Sequence, residues 1–187
     1  MITLRTERLL LRPWTLDDAP DALRIYGDPR VTRFIGGHTV HGEAEMRDQL
    51  ADRIALTARY AEGLDAWAAV LQVPEDDQGG RVVGCGLLKP LPRRGMGPTR
   101  ELTDDIEVGW HLAHDVWGRG LATEIGRALV AHGVGTLGLA DIHAVVEPDN
   151  AASMRVAERV GLTHVGRTTA YYDAIELEHF RLRPARG

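Results

Sequence analysis

The chain is nearly free of cysteine. Cys85 is its single one in 187 residues, which excludes an internal disulfide and any cysteine-based zinc cluster and fits a reducing compartment. Cys85 stands among Val82, Val83, Gly84, Leu87 and Leu88, the setting of a buried strand position and not of a reactive thiol. A basic excess is also missing. Lys and Arg number 22 against 27 Asp and Glu, a net charge of −5, so nothing stands ready to neutralise nucleic-acid phosphates. The mild negative balance suits a cationic substrate such as an amine. No run approaches the ~20 apolar residues of a membrane span, and the opening Met1-Ile2-Thr3-Leu4-Arg5-Thr6-Glu7-Arg8 lacks an apolar signal core. The expectation is a soluble, cytoplasmic protein. Internal repeats and low-complexity tracts are absent too.

What is present is 44% hydrophobic and 26% charged, the balance of one globular domain over residues 1–187 that buries roughly 70% of its unfolded surface. Arg8 to Arg12 reads as a strand ending at Pro13-Trp14, and Thr15-Leu16-Asp17-Asp18 as a helix start that runs to about Tyr26, where Gly27-Asp28-Pro29 breaks it. Glu43 to Glu62 reads as a second helix with Met46, Leu50, Ile54 and Ala58 on one face, closed by Gly63. Leu64 to Val73 and Arg81 to Leu91 read as antiparallel strands around the turn residues 74–80. Pro92 to Asp104 reads as a loop, either flexible or a substrate lid, whose Arg93-Arg94 pair is either solvated or an anion contact. Strands follow at Ile106 to Leu112, Asp141 to Glu147, Leu162 to Arg167 and Leu177 to Leu182. Between them lie a long helix with Leu121, Ile125 and Leu129 at four-residue steps and a short helix from Asn150 to Val160 ending at Gly161. The fold class is α/β: a mixed central sheet of about seven strands with helices on both faces, and a parallel βαβ unit between Ile106 and Val146. A crevice is expected where those two parallel strands part at the glycine turn.

That turn is Trp117-Gly118-Arg119-Gly120-Leu121-Ala122-Thr123-Glu124. Strand, glycine turn and helix start in this order make either a tight connection or an anion site, in which unpaired helix N–H groups face a phosphate. It lacks the Gly-Lys-Ser/Thr ending of a nucleotide P-loop, which argues against phosphate transfer. Glu107 and His111 share one face of the preceding strand with Gly109, opposite Val108, Trp110 and Leu112. Two titratable groups there are costly to bury without a purpose. Glu107 is the first choice for a general base and His111 the second; the alternatives are a structural partner to an arginine such as Arg12, and a hydrogen-bonded, partly buried histidine. Asn150 and Ser153 lie one helical turn apart, with Asn150 readable as an N-cap and Ser153 as a serine bonded back to the preceding turn. Tyr171 and Tyr172 offer further hydroxyls, as loop tyrosines that pack or line a pocket.

Four stretches together resemble the GNAT superfamily of N-acetyltransferases, and within it the branch of ribosomal-protein N-terminal acetyltransferase-like enzymes. They are Thr6-Glu7-Arg8-Leu9-Leu10-Leu11-Arg12-Pro13 with the Asp17-Asp18 helix; Glu107-Val108-Gly109-Trp110; Trp117 to Glu124; and Asn150-Ala151-Ala152-Ser153 with Val160-Gly161-Leu162. The resemblance implies acetyl transfer from acetyl-CoA to a primary amine, a protein N-terminus or a small molecule, by direct attack in a ternary complex and without a metal. It places the pyrophosphate on the turn formed by Trp117, Gly118, Arg119, Gly120, Leu121, Ala122 and Thr123. The pantetheine arm would run along Trp110, Leu112 and Ala113, where a backbone N–H acts as oxyanion donor, with a further contact from Asn150. Many relatives carry a tyrosine on the last helix to protonate the departing thiolate. Here that position is Ala157, which leaves Ser153 as the hydroxyl near the sulfur. Trp117 stands where the wider superfamily has Gln or Arg, so the phosphates would rest on backbone N–H groups and Arg119. The missing tyrosine also leaves room for an acyl-CoA-binding or sensing module with the same fold. A monomer and a homodimer are equally compatible with the chain.

Overall fold

The computed structural model describes residues 2–72, 80–93, 101–172 and 175–183. In chain order the elements are β1 (Leu4–Arg5), β2 (Leu9–Pro13), α1 (Ala19–Tyr26), α2 (Pro29–Thr32), α3 (Glu43–Thr57), β3 (Asp65–Leu71), β4 (Val82–Pro92), β5 (Leu102–Leu112), α4 (Leu121–Gly135), β6 (Ile142–Val146), α5 (Ala151–Arg159), β7 (Thr163–Thr168) and β8 (Leu177–Leu182). Among the described residues the strands form one eight-stranded sheet in the order β1-β2-β3-β4-β5-β6-β8-β7. The class is the α/β mixed sheet expected, with one strand more than the seven read from sequence. The extra strand is β1, two residues paired through Leu4↔Leu11 and Arg5↔Leu10, too short to leave a periodic signal.

Neighbouring strand residues point to opposite faces, and this fixes the helical layers. On β4, Cys85 meets the Arg53 guanidinium of α3, whose Nη1 lies 3.6 Å from its sulfur. A Cβ at the next residue, Gly86, would instead meet Ile125 and Leu129 of α4. So α1 and α3 cover one face, and α4 with α5 covers the other. Leu9, Leu11, Ile25, Leu50, Trp67, Leu88, Ile125, Leu129 and Phe180 are fully buried between them. Cys85 is buried and unpaired, as its apolar neighbours suggested. No helix among the described residues is long and apolar enough to cross a membrane.

Several boundaries differ from the sequence reading. The helix expected to start after Thr15 opens instead as a 3₁₀ turn over Leu16–Asp18 before α1. Its first-turn Asp18 accepts the Thr15 N–H at 2.8 Å and takes the Arg12 guanidinium through two bonds of 2.8 and 2.6 Å. The break at Gly27-Asp28-Pro29 leads into the short α2, because Asp28 accepts the Arg30 N–H at 2.9 Å and Pro29 suits the first helical turn. Helix α3 stops at Thr57, not Glu62: Ala58 and Arg59 are exposed, so nothing apolar holds a further turn to the sheet. Gly63, with φ of +89°, does not cap α3 but turns the chain into β3, its carbonyl hydrogen-bonded to His132 Nε2 at 2.9 Å.

Strand β5 begins at Leu102, four residues before the expected Ile106, and pairs with β4 as far as Pro92↔Leu102. After the exposed Leu102 its first residues, Thr103 to Asp105, are polar and partly exposed, so only the ladder marks them as strand. Most of the expected loop from Pro92 to Asp104, with Arg94, lies outside the described residues, as does most of the turn at 74–80. Arg93 is in view and lies 3.5 Å from Glu101 in an exposed ion pair.

The closeness of β4 and β5 can be tested. A Cβ at Gly84 would stand 2.4 Å from the His111 carbonyl oxygen, backbone that cannot rotate away. Gly84→Ala is expected to lower stability by about 2–4 kcal/mol, read as a reduced urea midpoint at unchanged slope. A wild-type midpoint would mean that the strands are not in such contact.

Candidate active site

Strands β5 and β6 are parallel and pair at one position, Glu107↔His143. Beyond it they part, while β6 stays paired with β8 from Ile142↔Leu182 to Val146↔Glu178. The backbone N–H of Ala113 donates to Val83 of β4 at 2.9 Å. By alternation His111 and Gly109 also turn their peptide groups to β4, and Trp110 and Leu112 turn theirs into the gap. Unpaired peptide groups need partners, and one is supplied locally: the Trp117 indole N–H donates to the Leu112 carbonyl at 2.8 Å. Of the three residues expected along the arm, Ala113 has its N–H committed to β4 and Leu112 its carbonyl to Trp117.

The glycine turn follows a 3₁₀ turn over His114–Val116. Gly118 and Gly120 have φ of +74° and +78°, and no heavy atom lies within 4 Å of a Cβ built on Gly118. These are left-handed positions that glycine adopts without strain. The first bond of α4 runs from Glu124 N–H to Gly120 at 3.1 Å, so the N–H groups of Leu121, Ala122 and Thr123 have no helical acceptor. Residues 117–120 are exposed, and Arg119 forms no ion pair among the described residues. The turn is clamped from behind by the first motif. Glu124 accepts the Arg8 Nε at 2.7 Å, the Arg8 N–H at 2.8 Å and the Thr6 hydroxyl at 2.6 Å. Arg8 Nη1 donates to the Arg119 carbonyl at 2.9 Å. Burial pushes the Glu124 carboxyl up, but the hydrogen bonds from Thr6 and Arg8 outweigh it and hold the group below its usual range.

Glu107 is 6% exposed. Its partner is not Arg12, which belongs to Asp18, but Lys89, its register neighbour on β4, whose Nζ lies 2.8 Å away. Lys89 also donates to the Tyr172 hydroxyl at 2.8 Å, and Tyr172 in turn donates to Glu107. Tyr172 holds φ of +46°, a left-handed conformation unusual for an aromatic residue, in the turn that brings its hydroxyl over the carboxylate. His111 lies on the same face, its Nδ1 3.4 Å from the Tyr26 hydroxyl. Burial, then the charges of Arg53 and Lys89, push the imidazole down to about 3, so it is neutral near pH 7 and a weak proton acceptor.

On the opposite face the Trp110 indole N–H donates to Ser153 Oγ at 3.1 Å, tying α5 to β5. Asn150 accepts the Ser153 N–H at 3.1 Å as the N-cap of α5, and Ala157 is fully buried. A second polar group stands beside Glu107, of which the sequence offered only Asp105, as one of the acidic residues Glu101, Asp104, Asp105 and Glu107 that favour a cationic acceptor. Asp105 accepts the Tyr171 hydroxyl at 2.7 Å, and His143 Nδ1 meets His179 Nε2 at 2.9 Å. His143 is 3% exposed; its Nε2 has no hydrogen bond among the described residues and lies 3.6 Å from Asp105 Oδ1. Alternation along β6 and β8 could have signalled both histidines; the strand position of Asp105 was hidden by starting β5 at Ile106. Among the described residues no group of three or more His, Cys, Asp or Glu could hold a metal ion.

Residues 8–163 match the family described as an acetyltransferase (GNAT) domain. The uncharacterized N-acetyltransferase p20 of Bacillus licheniformis is 29% identical over 177 residues, 93% of this chain and 89% of that protein. The crystal structure of an acetyltransferase from Agrobacterium tumefaciens is 28% identical with a TM-score of 0.74, over 98% of this chain and 95% of that one. The ribosomal alpha-N-protein acetyltransferase RimL, solved in complex with coenzyme A, is similar in fold: TM-score 0.71 at 18% identity, over 97% of this chain and 98% of that one.

Two measurements test the electrostatics. The His111 imidazole is lowered on folding, so the stability held in its neutral form is full above its ordinary 6.5 and is lost as pH falls toward about 3. Between these values His111→Gln should lose stability less steeply than the wild type, by up to about 1.4 kcal/mol per pH unit; equal slopes would place His111 in contact with water. For the clamp, the double-mutant cycle of Arg8→Met and Glu124→Gln should give a coupling of about 1 kcal/mol in unfolding free energy, whereas additive effects would mean that the two do not act together.

Proposed function

Because this chain belongs to the GNAT acetyltransferase family, we propose that residues 1–187 form one N-acetyltransferase domain that moves an acetyl group from acetyl-CoA to a primary amine in a ternary complex. The acceptor is a protein N-terminus or a small-molecule amine. The observation that carries the reading is the junction of β5 and α4: a strand edge that loses its parallel partner runs directly into two left-handed glycines and a row of unpaired helix N–H groups. Those groups suit a pyrophosphate, and the open edge at Trp110 suits the amide-bearing arm of the coenzyme. RimL, with the same fold, holds coenzyme A in its own structure.

Acetyl-CoA supplies a thioester carbonyl, and the chain's own residues do the remainder. Gly118 to Thr123 hold the phosphates through backbone N–H groups, with Arg119 free to add a charge-assisted bond. The Trp110 N–H faces the gap and serves as oxyanion donor. Glu107 takes the proton from the ammonium, directly or through one water, with Lys89 and Tyr172 fixing the orientation of its carboxylate. His111, already neutral, contributes shape and a hydrogen bond more than basicity. Ser153 accepts the Trp110 indole, which leaves its own hydroxyl hydrogen to donate to the departing sulfur. Asn150 positions Ser153 by capping α5. The net negative charge and the absence of a membrane-spanning helix among the described residues fit a cytoplasmic enzyme without a nucleic-acid partner, as a monomer or homodimer.

Calorimetry with acetyl-CoA and thiol release with a panel of amines test this reading together. Saturable binding and amine-dependent release are expected, and Glu107→Gln should slow transfer about 100-fold or more with less than threefold change in coenzyme binding. No binding at millimolar coenzyme would sink the reading. Slow hydrolysis unstimulated by any amine would favour an acyl-CoA-binding module, and an unchanged pH–rate profile in the variant would remove Glu107 from the mechanism.

A further inference from the structure

Arg53 of α3 is a cation with no ion-pair partner among the described residues. Its Nη1 donates to the Tyr26 hydroxyl at 2.7 Å and reaches the Cys85 sulfur at 3.6 Å. The guanidinium carbon lies 4.7 Å from the centre of the Tyr26 ring and 5.5 Å from that of Trp14. No carboxylate lies within ion-pair distance among the described residues, and Nε and Nη2 have no hydrogen-bond partner there. A half-buried guanidinium packed against aromatic rings with no carboxylate beside it is placed to take a counter-charge from outside, and its planar fork matches a carboxylate.

The fork borders a cavity of about 230 Å³ at the C-terminal end of α3, which Arg53 lines together with Trp14, Ile54, Tyr60, Asp65 and Trp67. That is smaller than the usual ligand pocket and suits a molecule of amino-acid size. The cavity is wired to the reacting strand at two points. The Tyr26 hydroxyl that accepts from Arg53 also lies 3.4 Å from His111 of β5. Burial and then the charges of Glu107 and Asp65 push the Tyr60 hydroxyl up to about 12, with Arg53 acting in the opposite direction, so Tyr60 stands in the fields of the proposed base and of the cavity alike. Asp65 is itself tied by the Ala66 N–H at 2.7 Å. The cavity thus offers the Asp65 carboxylate for an ammonium, with Glu107 on β5, and for a carboxylate the side of the Arg53 fork that Tyr26 does not take.

We propose that this cavity is the acceptor subsite and that the acceptor is a small zwitterionic amine, an amino acid or a close analogue, whose carboxylate pairs with Arg53 while its amine faces Glu107. This rests on the acetyltransferase reading above. A polyamine or aminoglycoside would bring only positive charge toward Arg53, and a peptide N-terminus would offer it a neutral amide.

The test compares acetyl transfer to the L-amino acids with transfer to their methyl esters, to spermidine and to kanamycin. At least one free amino acid should be acetylated with kcat/KM about 30-fold above its own ester, as a charge-assisted pair is worth. Arg53→Gln should raise the KM for that amino acid until the preference falls below threefold, with the KM for acetyl-CoA unchanged, and Arg53→Lys should keep part of the preference. Esters or polycations equal to or better than the free acids in the wild type would overturn the proposal without any variant. If no amine is acetylated, the transferase reading fails and the subsite is judged separately by calorimetry of N-acetyl amino acids against their methyl esters. Heat from the acids alone, lost in Arg53→Gln, upholds the subsite; no heat, or equal heat from the esters, overturns it.

Discussion

The structure turns on a pairing that is made once and then abandoned. Parallel strands β5 and β6 meet at Glu107↔His143 and separate, while each keeps its antiparallel neighbour on the other side. A sheet that opens in its middle leaves peptide groups of the central strand without partners, and buried peptide groups do not stay unpaired at low cost. The Trp117 indole answers one of them at the Leu112 carbonyl, and the peptide edge at Trp110 faces the gap. The same parting gives the glycine turn its place, since α4 begins where β5 can no longer continue as a paired strand. Thr6, Arg8 and Glu124 then hold that turn against the first strand through bonds that span more than a hundred residues.

Around this opening the charges are sorted by face. Glu107 lies against the Lys89 ammonium and a tyrosine hydroxyl, and His111 is kept as a neutral imidazole by burial and two nearby cations. Two groups that look equivalent from their spacing are thereby given different electrostatic settings, one beside a cation that touches it and one buried beside cations that disfavour its charge. Tyr26 links His111 to Arg53, so one hydroxyl joins β5 to a cavity whose guanidinium has no carboxylate partner among the described residues.

Much of this was legible in the chain. The alternation along β5 put Glu107 and His111 on one face and Trp110 on the other, and the Asn150 cap and Gly161 turn of α5 are local features with local causes. The glycine turn and the order of the four motifs led to the family to which the chain belongs. Elements that lack a periodic pattern were misread: β1 has two residues, the polar start of β5 looks like loop, and the last turn expected of α3 has no apolar face to keep it. The partner of Glu107 was also misassigned. Lys89 and Arg12 are both strand cations, and only register decides which of them lies beside the carboxylate.

The sequence by itself determined the fold class, the face on which each central-strand residue lies and the position of the turn, because these follow from short-range periodicity and backbone preference, and the family came through the resemblance of four motifs in order. Tertiary structure alone decided who neutralises whom: Arg8 with Glu124, Arg12 with Asp18, Lys89 with Glu107, and Arg53 with no carboxylate among the described residues. The physical reason is that an ion pair depends on a distance of a few ångströms between residues far apart in the chain. That distance is set by strand register and helix docking, to which no local pattern of residues is sensitive.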